Sequence, residues 1–178
     1  MPNLYESILH AFEPILEEKK FKKGTAVHQP NKTCNHLFLV QSGLLRAYYY
    51  KEGKDITAHF ALENGSITAP DSFISRRKSK YTIEALEDSN VLAIEHSILE
   101  KYLVDRPELE HLARKYTEFI YMELLERLEG LIFLTTKEKY HLLIKDNPTI
   151  IQRVNLGHIA SYLNITQETL SRVRKMAT

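Results

Sequence analysis

Short apolar runs separated by polar turns fill the first hundred residues of the chain. They predict strands over residues 27–28, 36–40, 44–50, 56–62, 81–86 and 91–94. The segment Lys51–Asp55 lies between two of these runs, contains a glycine, and is typical of a hairpin turn. Short strands at this spacing predict a small antiparallel barrel or roll. Residues 1–19 predict short helical pieces instead, because Leu4, Ile8 and Phe12 fall on one helical stripe.

The segment from Asp105 to about Phe133 has a helical pattern. Pro107 suits a first helical turn, and Glu108 suits the positive end of the helix dipole. The apolar stripe is too wide for one packing surface. We predict that this helix packs on its own roll and also on the same helix of a second subunit, through Leu109, Leu112, Tyr116, Ile120, Leu124, Leu128 and Leu131. The alternative is one long core helix in a monomer.

The C-terminal region opens with a further helix. Thr135 and Glu138 have the spacing of a capping box, in which each side chain satisfies a free backbone donor near the other residue. Asp146-Asn147-Pro148 ends the helix. The next segment, Ile150–Val154, is short and β-branched, which predicts an abbreviated wing strand.

Two short helices then follow with almost no connection between them. The first has apolar residues on one face, at Leu156, Ile159, Ala160 and Leu163. The second follows Thr166, whose hydroxyl suits an N-cap, and its apolar positions are Leu170 and Val173. Asn164-Ile165 leaves room only for a tight turn, so the helices must cross steeply. This is the geometry of a helix-turn-helix.

The second of these helices has the side chains of a DNA reader. Glutamine pairs with adenine, glutamate accepts from the cytosine amino group, and arginine pairs with guanine. Thr166, Thr169 and Lys175 are placed to contact phosphates. The predicted DNA-binding residues are Thr166, Gln167, Glu168, Thr169, Ser171, Arg172 and Lys175. The alternative is a solvated amphipathic helix that ends a small domain.

Charge is distributed unevenly along the chain. Its net charge is +1, but residues 134–178 contain seven Lys/Arg and three Asp/Glu, or +4, which leaves −3 for the remainder. A basic end on a slightly acidic body is typical of a DNA-binding module attached to another domain. Cys34 is the only cysteine, so one chain can form neither a disulfide nor a cysteine-ligated cluster. No apolar run approaches the roughly 20 residues of a membrane span, and the N-terminus has no signal-peptide pattern, so we expect a cytoplasmic protein without membrane contact.

The segment Gln167–Arg172, Gln-Glu-Thr-Leu-Ser-Arg, resembles the recognition helix of the cyclic AMP receptor protein/fumarate-nitrate regulator (Crp/Fnr) family of bacterial transcription factors. That family has Arg-Glu-Thr-Val-x-Arg, so the Glu, Thr and final Arg match while Gln167 replaces the leading Arg. The order of strands over residues 10–100 resembles the cyclic-nucleotide-binding β-roll of the same family. The resemblance implies an α+β fold with an antiparallel β-roll at 1–104, a long dimerisation helix at 105–133, and a winged helix-turn-helix at 134–178.

The family holds its effector with a glycine-acid pair and, further on, an Arg followed by Ser or Thr. The matching positions here are Pro70-Asp71 and Ser79-Lys80 or Lys80-Tyr81, where Lys80 supplies a point charge rather than a bidentate fork. The candidate effector pocket is Pro70, Asp71, Ser72, Ser79, Lys80, Tyr81 and Thr82. The basic run at residues 76–78 is typical of a solvated loop. We expect cyclic AMP to bind weakly or not at all, which leaves an unidentified small-molecule effector, or none.

Histidines on predicted strands raise the alternative of a metal enzyme. His28, His36 and His59 lie there, and β-rolls resemble the cupin barrels that hold metals. Those barrels need His-x-His, which is absent from this sequence, so we expect no metal, no cofactor and no enzymatic activity. The expected function is a homodimeric transcription regulator that binds double-stranded DNA in a sequence-specific manner, with RNA polymerase as a further candidate partner. The alternatives are a cyclic-nucleotide or other small-ligand sensor that acts through protein contacts, and a cupin-like metal enzyme.

Overall fold

The computed structural model describes the backbone of residues 2–177 and the side chains of residues 4–175. Its strands are β1 Glu17–Phe21, β2 Ala26–His28, β3 His36–Ser42, β4 Leu45–Lys51, β5 Lys54–Ala61, β6 Ser66–Ile67, β7 Thr82–Ala85 and β8 Ser89–Glu95. Its helices are α1 Pro2–Phe12, α2 Pro70–Phe73, α3 His96–Leu103, α4 Pro107–Phe133, α5 Thr136–Asp146, α6 Ile150–Arg153, α7 Leu156–Tyr162 and α8 Gln167–Ala177. A 3₁₀ turn, Glu13–Ile15, follows α1.

The strands form two four-stranded antiparallel sheets. Sheet A has the order β1-β8-β3-β6, and sheet B has the order β2-β7-β4-β5. The hairpin between β4 and β5 turns at Glu52 and Gly53, which both have positive φ, the backbone that a tight two-residue hairpin needs. The predicted antiparallel roll is therefore confirmed.

Alternate residues of each strand face different layers, because successive strand side chains point to opposite sides. Between the sheets lies an apolar core to which sheet A contributes Phe38, Val40, Val91 and Ala93, and sheet B contributes Leu45, Ala47, Ile83 and Ala85. The outer face of sheet A, with Leu39 and Ile94, packs against α1 and the first half of α4. Tyr5 of α1 fixes that contact by donating a hydrogen bond to the Val40 carbonyl at 3.0 Å.

The outer face of sheet B is covered by the C-terminal helices. Leu44 and Phe60 from the roll join one apolar cluster with residues of α5 to α8: Tyr140, Leu143, Ile150, Val154, Ile159, Ala160, Leu163 and Leu170. The rings of Phe60 and Tyr162 lie 5.1 Å apart across this contact. The molecule is thus layered as helices, sheet A, sheet B and helices, with one face of α7 against the roll.

Two local predictions are wrong. Residues Ile150–Arg153 form the helical turn α6 rather than a wing strand, and no strand occurs among the described residues after position 133. Ile150 is buried in the cluster beneath the helices, which favours a compact turn over an extended edge. The first 19 residues contain not only helix but the start of β1, whose polar sequence pairs with β8 from Glu17↔Ala93 to Phe21↔Ser89.

Candidate nucleic-acid interface and effector cassette

The turn before α8 has the geometry that its sequence predicts. Asn164 adopts a left-handed φ of 54°, and Ile165 donates its backbone N–H to the Ala160 carbonyl at 3.0 Å. Thr166 caps the following helix, because its hydroxyl accepts from the Thr169 N–H at 3.2 Å. Leu170, which is fully buried, anchors α8 in the cluster with α5 and α7. The packing of Leu170 therefore fixes the position of α8 against α5 and α7.

The predicted DNA-binding residues lie along α8 and at Thr166, which caps it. Thr166, Gln167, Glu168, Arg172 and Lys175 are exposed, and Thr169 and Ser171 are half-buried. The pKa of Glu168 is lowered, chiefly by its own backbone N–H, with further contributions from the Thr166 hydroxyl and from Arg172 one turn later. The helix thus presents an ionised carboxylate and a guanidinium one turn apart on its exposed surface.

An ion cluster attaches the helix-turn-helix to the roll. Arg153 of α6 donates to Glu63 at 2.8 Å, to Glu87 at 2.7 Å and to the Gly43 carbonyl at 3.0 Å. Glu63 also accepts from the Gly43 N–H at 2.9 Å. The hydrogen bond from Arg153 is the main cause that lowers the pKa of Glu63 to about 2. Three loops at one end of sheet B therefore converge on one arginine.

The predicted dimer stripe on α4 is divided. Its first residues, Leu109, Leu112 and Tyr116, pack within the chain against α1, and Tyr116 is buried. Beyond them Ile120, Leu124 and Leu128 are exposed, and Leu131 is half-buried. Ile132 and Phe133, which were not in the predicted set, are 62% and 75% exposed. The uncovered apolar stripe is thus the C-terminal half of α4.

The predicted effector residues form a cassette that satisfies its own polar groups. Asp71 of α2 accepts from the Ser79 hydroxyl at 2.9 Å and from the Lys80 backbone N–H at 3.1 Å. The Ser79 oxygen accepts in turn from the Tyr81 N–H at 2.9 Å. The Lys80 ammonium lies over the Tyr49 ring, 5.3 Å from its centre. A hydroxyl and an amide of the kind that bind a phosphate therefore already hold a carboxylate.

The other predicted cassette residues have separate roles. Ser72 is buried and accepts from the Cys34 N–H at 2.8 Å, so it ties α2 to the loop before β3. Pro70 begins α2 and is exposed, whereas Thr82 begins β7 and is half-buried. Arg76 of the basic run donates to the Cys34 carbonyl at 3.0 Å and to Asn35 Oδ1 at 2.6 Å. One member of the predicted solvated loop is therefore a structural anchor.

The histidines of the roll are not gathered together. Among residues 2–177, no three His, Cys, Asp or Glu side chains are grouped so that they could hold a metal ion. His28 is buried, and the pKa of His28 is lowered by that burial. No helix in the described part of the chain is long and apolar enough to cross a membrane.

Comparison with known families identifies the roll. The model of the cyclic nucleotide-binding domain matches residues 18–106, which is half of the chain. The chain belongs to the cyclic nucleotide-binding domain family. The matched segment contains both sheets and the cassette, and it ends just before α4.

A curated relative matches a longer stretch than the family model does. The anaerobic regulatory protein of Bacillus subtilis (strain 168) is 28% identical over 108 residues, a match that covers 60% of this chain and 44% of that protein. The chain therefore spans less than half the length of this curated relative. The relative is a regulator by name.

Solved structures share the whole architecture. FixK2 from Bradyrhizobium japonicum is similar at a TM-score of 0.73, with 21% identity over 91% of this chain and 84% of that one. The regulator CLP from Xanthomonas campestris gives 0.71, with 13% identity over 97% and 91%. A protein from Eubacterium rectale described as a Crp/Fnr-family transcriptional regulator gives 0.70, with 23% identity over 96% and 82%. The α+β fold and the resemblance to Crp/Fnr regulators are thus confirmed.

Several residues that position the interface were not predicted from the sequence. Arg153 and Ser161 look like ordinary surface residues of short helices, and their partners lie more than 60 residues away in the chain. Arg46 gives one local signal, because it is a charged residue inside the otherwise buried run Leu44–Ala47. A strand buried on both faces predicts cover on its outer side, which the C-terminal helices supply.

Proposed function

We propose that this chain is a sequence-specific DNA-binding transcription regulator that acts as a homodimer in the cytoplasm. The observation that carries the proposal is the arrangement of α8, in which Leu170 is buried while Gln167, Glu168 and Arg172 are exposed in its first turns. Residues at the N-terminal end of a recognition helix are the ones that reach base edges in the major groove. The match of Glu168, Thr169 and Arg172 to the Crp/Fnr motif supports the same role.

The dimer is supported by the uncovered half of α4. Leu124, Leu128 and Ile132 are more than half exposed and lie four residues apart, so they form one continuous apolar stripe. An exposed apolar stripe of this length marks an interaction site. A second copy of the same helix matches it by two-fold symmetry, and two-fold symmetry also places two recognition helices on successive turns of DNA.

The cassette supports regulation without a cyclic nucleotide. Asp71 occupies the Ser79 hydroxyl and the Lys80 N–H, and its charge repels a phosphate that approaches the same donors. Binding a cyclic nucleotide would therefore require that this carboxylate leave both donors. Calorimetry with cyclic AMP and cyclic GMP tests this part of the proposal. We expect weak binding or none, and micromolar affinity for either nucleotide would contradict the proposal.

Selection of bound sequences from random duplexes tests the DNA reader and the dimer together. We expect a two-fold symmetric consensus whose halves are about 34–36 Å apart, one helical turn. The control is the double variant Glu168→Ala/Arg172→Ala, which keeps the buried face of α8 and should yield no consensus. An identical consensus from parent and control would place sequence reading elsewhere in the molecule.

Sedimentation tests the dimer independently of DNA. We expect Leu124→Glu to shift the chain toward monomer, because it places a charge in the centre of the proposed interface. Ile74→Glu is the matched control. Ile74 is 73% exposed but lies just after α2, beside the cassette and not on α4. If both variants sediment like the parent, the α4 stripe is not the dimer interface.

A further inference from the structure

Arg46 is a charged residue buried in the centre of the contact between the roll and the helix-turn-helix. It is 1% exposed. Its guanidinium donates to Thr57 Oγ1 at 2.9 Å and to Glu84 Oε1 at 2.9 Å, and it lies 2.8 Å from Asp55 Oδ2. The guanidinium also lies over the Tyr48 ring, 4.4 Å from its centre. Three strands of sheet B thus hold this cation in one position.

The remaining partner of Arg46 comes from the C-terminal helices. His158 of α7 places Nε2 2.8 Å from Arg46 Nη1. A guanidinium has only donors, so at this distance the imidazole nitrogen must be the acceptor. His158 is therefore neutral when the two parts of the molecule are in contact, with its proton on Nδ1.

Protonation of His158 removes this bond. An imidazolium has no acceptor, so two donors with positive charge would face each other at hydrogen-bond distance. The charged groups that face His158 are Arg46 on β4 and Asp55 on β5, with Glu84 of β7 behind the guanidinium. Asp55 Oδ2 lies 3.8 Å from His158 Nε2, beyond hydrogen-bond reach. The nearest carboxylate thus does not replace the lost bond without movement of α7.

The same turn of α7 completes the edge of sheet B. Ser161 accepts from the Thr57 backbone N–H at 2.9 Å and donates to the Asp55 carbonyl at 3.2 Å, in the manner of a neighbouring strand. Next to it, Tyr162 packs on Phe60. His158, Ser161 and Tyr162 are therefore one helical face, and all three partners on the roll belong to β4 and β5.

We propose that Arg46 and His158 form a pH-sensitive latch that holds the helix-turn-helix against the roll and opens when His158 is protonated. Glu84, the second carboxylate on Arg46, lies four residues after Lys80 of the cassette, so the latch joins the segment that follows the cassette to α7. The latch is a property of the contact itself. It does not depend on what α8 binds.

The direction of the pH effect follows from the environment of His158. Burial, and then the positive charge of Arg46, lower the pKa of His158 below its usual 6.5, while Asp55 opposes them. The closed latch therefore binds fewer protons than the open one. Its stability is complete above about pH 6.5 and falls with acidification, by at most about tenfold in the closing equilibrium per pH unit.

A tryptophan reporter measures the latch in the full-length chain. The sequence has no tryptophan, so Tyr162→Trp places a single tryptophan against Phe60 at the contact. We expect its emission to shift to the red as pH falls from about 8 to about 5. The protection factor of the Thr57 amide against hydrogen exchange should fall at least tenfold in parallel. The amide of Leu39, in sheet A, should stay protected, which separates opening from unfolding.

Two substitutions at His158 decide the assignment. His158→Gln keeps an acceptor and cannot be protonated, so its latch should stay closed over the whole pH range. His158→Lys is positively charged throughout, so its latch should be open at about pH 8. A parent whose emission and Thr57 protection do not change with pH overturns the proposal. So does a His158→Gln variant that responds to pH like the parent.

Discussion

Helix α8, the proposed recognition helix, and the cassette contain similar polar groups but differ in what these groups contact. In α8, Gln167, Glu168 and Arg172 are exposed, and Glu168 interacts with its own backbone N–H, with the Thr166 hydroxyl and with Arg172. In the cassette, Ser79 and the Lys80 amide are bound by Asp71 of the same chain. The polar groups of α8 are exposed at the surface, whereas those of the cassette are hydrogen-bonded within the chain.

The difference shows that residue type alone does not make a binding site. A hydroxyl, an amide and a lysine near each other predict anion binding only while their hydrogen-bonding capacity is free. Asp71 removes that capacity in the cassette at a spacing of eight residues from Ser79. On α8, by contrast, Gln167, Glu168 and Arg172 are exposed. The hydrogen-bond partners of these groups, rather than the residue motif, therefore distinguish α8, which we propose to bind DNA, from the cassette, which we propose not to bind a cyclic nucleotide.

The largest expected effect tests the anchoring of α8. Leu170→Ala should lower the free energy of unfolding of the C-terminal part by about 2–5 kcal/mol, because it empties a fully buried position. Leu142→Ala is the matched control, since Leu142 of α5 is 42% exposed and should cost much less. Urea unfolding followed by circular dichroism measures both. Equal losses would mean that α8 is not held by its buried face.

The next effect tests the exposed residues of α8. Arg172→Ala should weaken binding to the selected DNA sequence by about 1–3 kcal/mol and relax its sequence preference. Lys175→Ala should weaken all duplexes similarly and reduce the salt slope by about one. Titration of selected and random duplexes at several salt concentrations measures both variants. Parent-like binding by both would contradict the roles assigned to α8.

A smaller effect tests the hydrogen bonds of Asp71 in the cassette. Asp71→Ala should cost about 1–2 kcal/mol, because it leaves the buried Ser79 hydroxyl and the Lys80 amide without their acceptor. The freed donors should also make the melting temperature rise with added phosphate, which the parent should not show. Asp71→Asn retains an acceptor and serves as the control. If the melting temperature of Asp71→Ala has the parent's value and phosphate response, Asp71 does not close the cassette.

The smallest effect tests the ion cluster that joins the helix-turn-helix to the roll. The pKa of Glu63 is about 2 in the folded chain, below its usual 4.5, so Glu63 stabilises the contact with Arg153 at pH values above 4.5. That contribution is lost as pH falls from 4.5 toward 2, and it should be under about 1 kcal/mol because the carboxylate is partly exposed. Acid titration of stability should be steeper for the parent than for Glu63→Gln. Coinciding curves would show that the ion cluster does not stabilise the contact.

The pattern of apolar residues was sufficient to predict the bounds of elements whose burial depends on their own sequence. β3, β4, β5, β7 and β8 lie within two residues of the predicted apolar runs, and α4 ends at Phe133 as predicted. Thr135 and Glu138 form the predicted capping box, with the Thr135 N–H 2.8 Å from Glu138 Oε2. In each case, the deciding interaction is local or depends only on which side of the element is apolar.

The misses have a common cause, which is that distant segments decide them. The sequence of β1, Glu-Glu-Lys-Lys-Phe, has no strand pattern and becomes a strand through pairing with β8, about 70 residues later. Ile150–Arg153 is β-branched but helical, because Ile150 enters the cluster under α7 and α8. Tyr116 was assigned to a second subunit but is buried in its own. Local preference is overruled wherever tertiary contacts are stronger.

The exposed residues of α8 that we propose to read DNA could be placed from the sequence, and the closed cassette only in part. The N-cap, the turn at Asn164 and the exposed face of α8 follow from short-range rules. The departure from the family's cassette was visible in Pro70-Asp71 and Ser79-Lys80. That Asp71 binds the donors itself was not, since the loop between them contains no periodic pattern and Arg76 has a left-handed φ of 59°.

The seating of Ser161 on β5 has a consequence for any shortened form of the chain. β5 is the last strand of sheet B, and without α7 its backbone N–H and C=O groups would point into solvent in a row. Such a row recruits strands from neighbouring molecules. A roll cut free after Phe133 would therefore be prone to self-associate through this border, so the C-terminal helices act as a guard against aggregation.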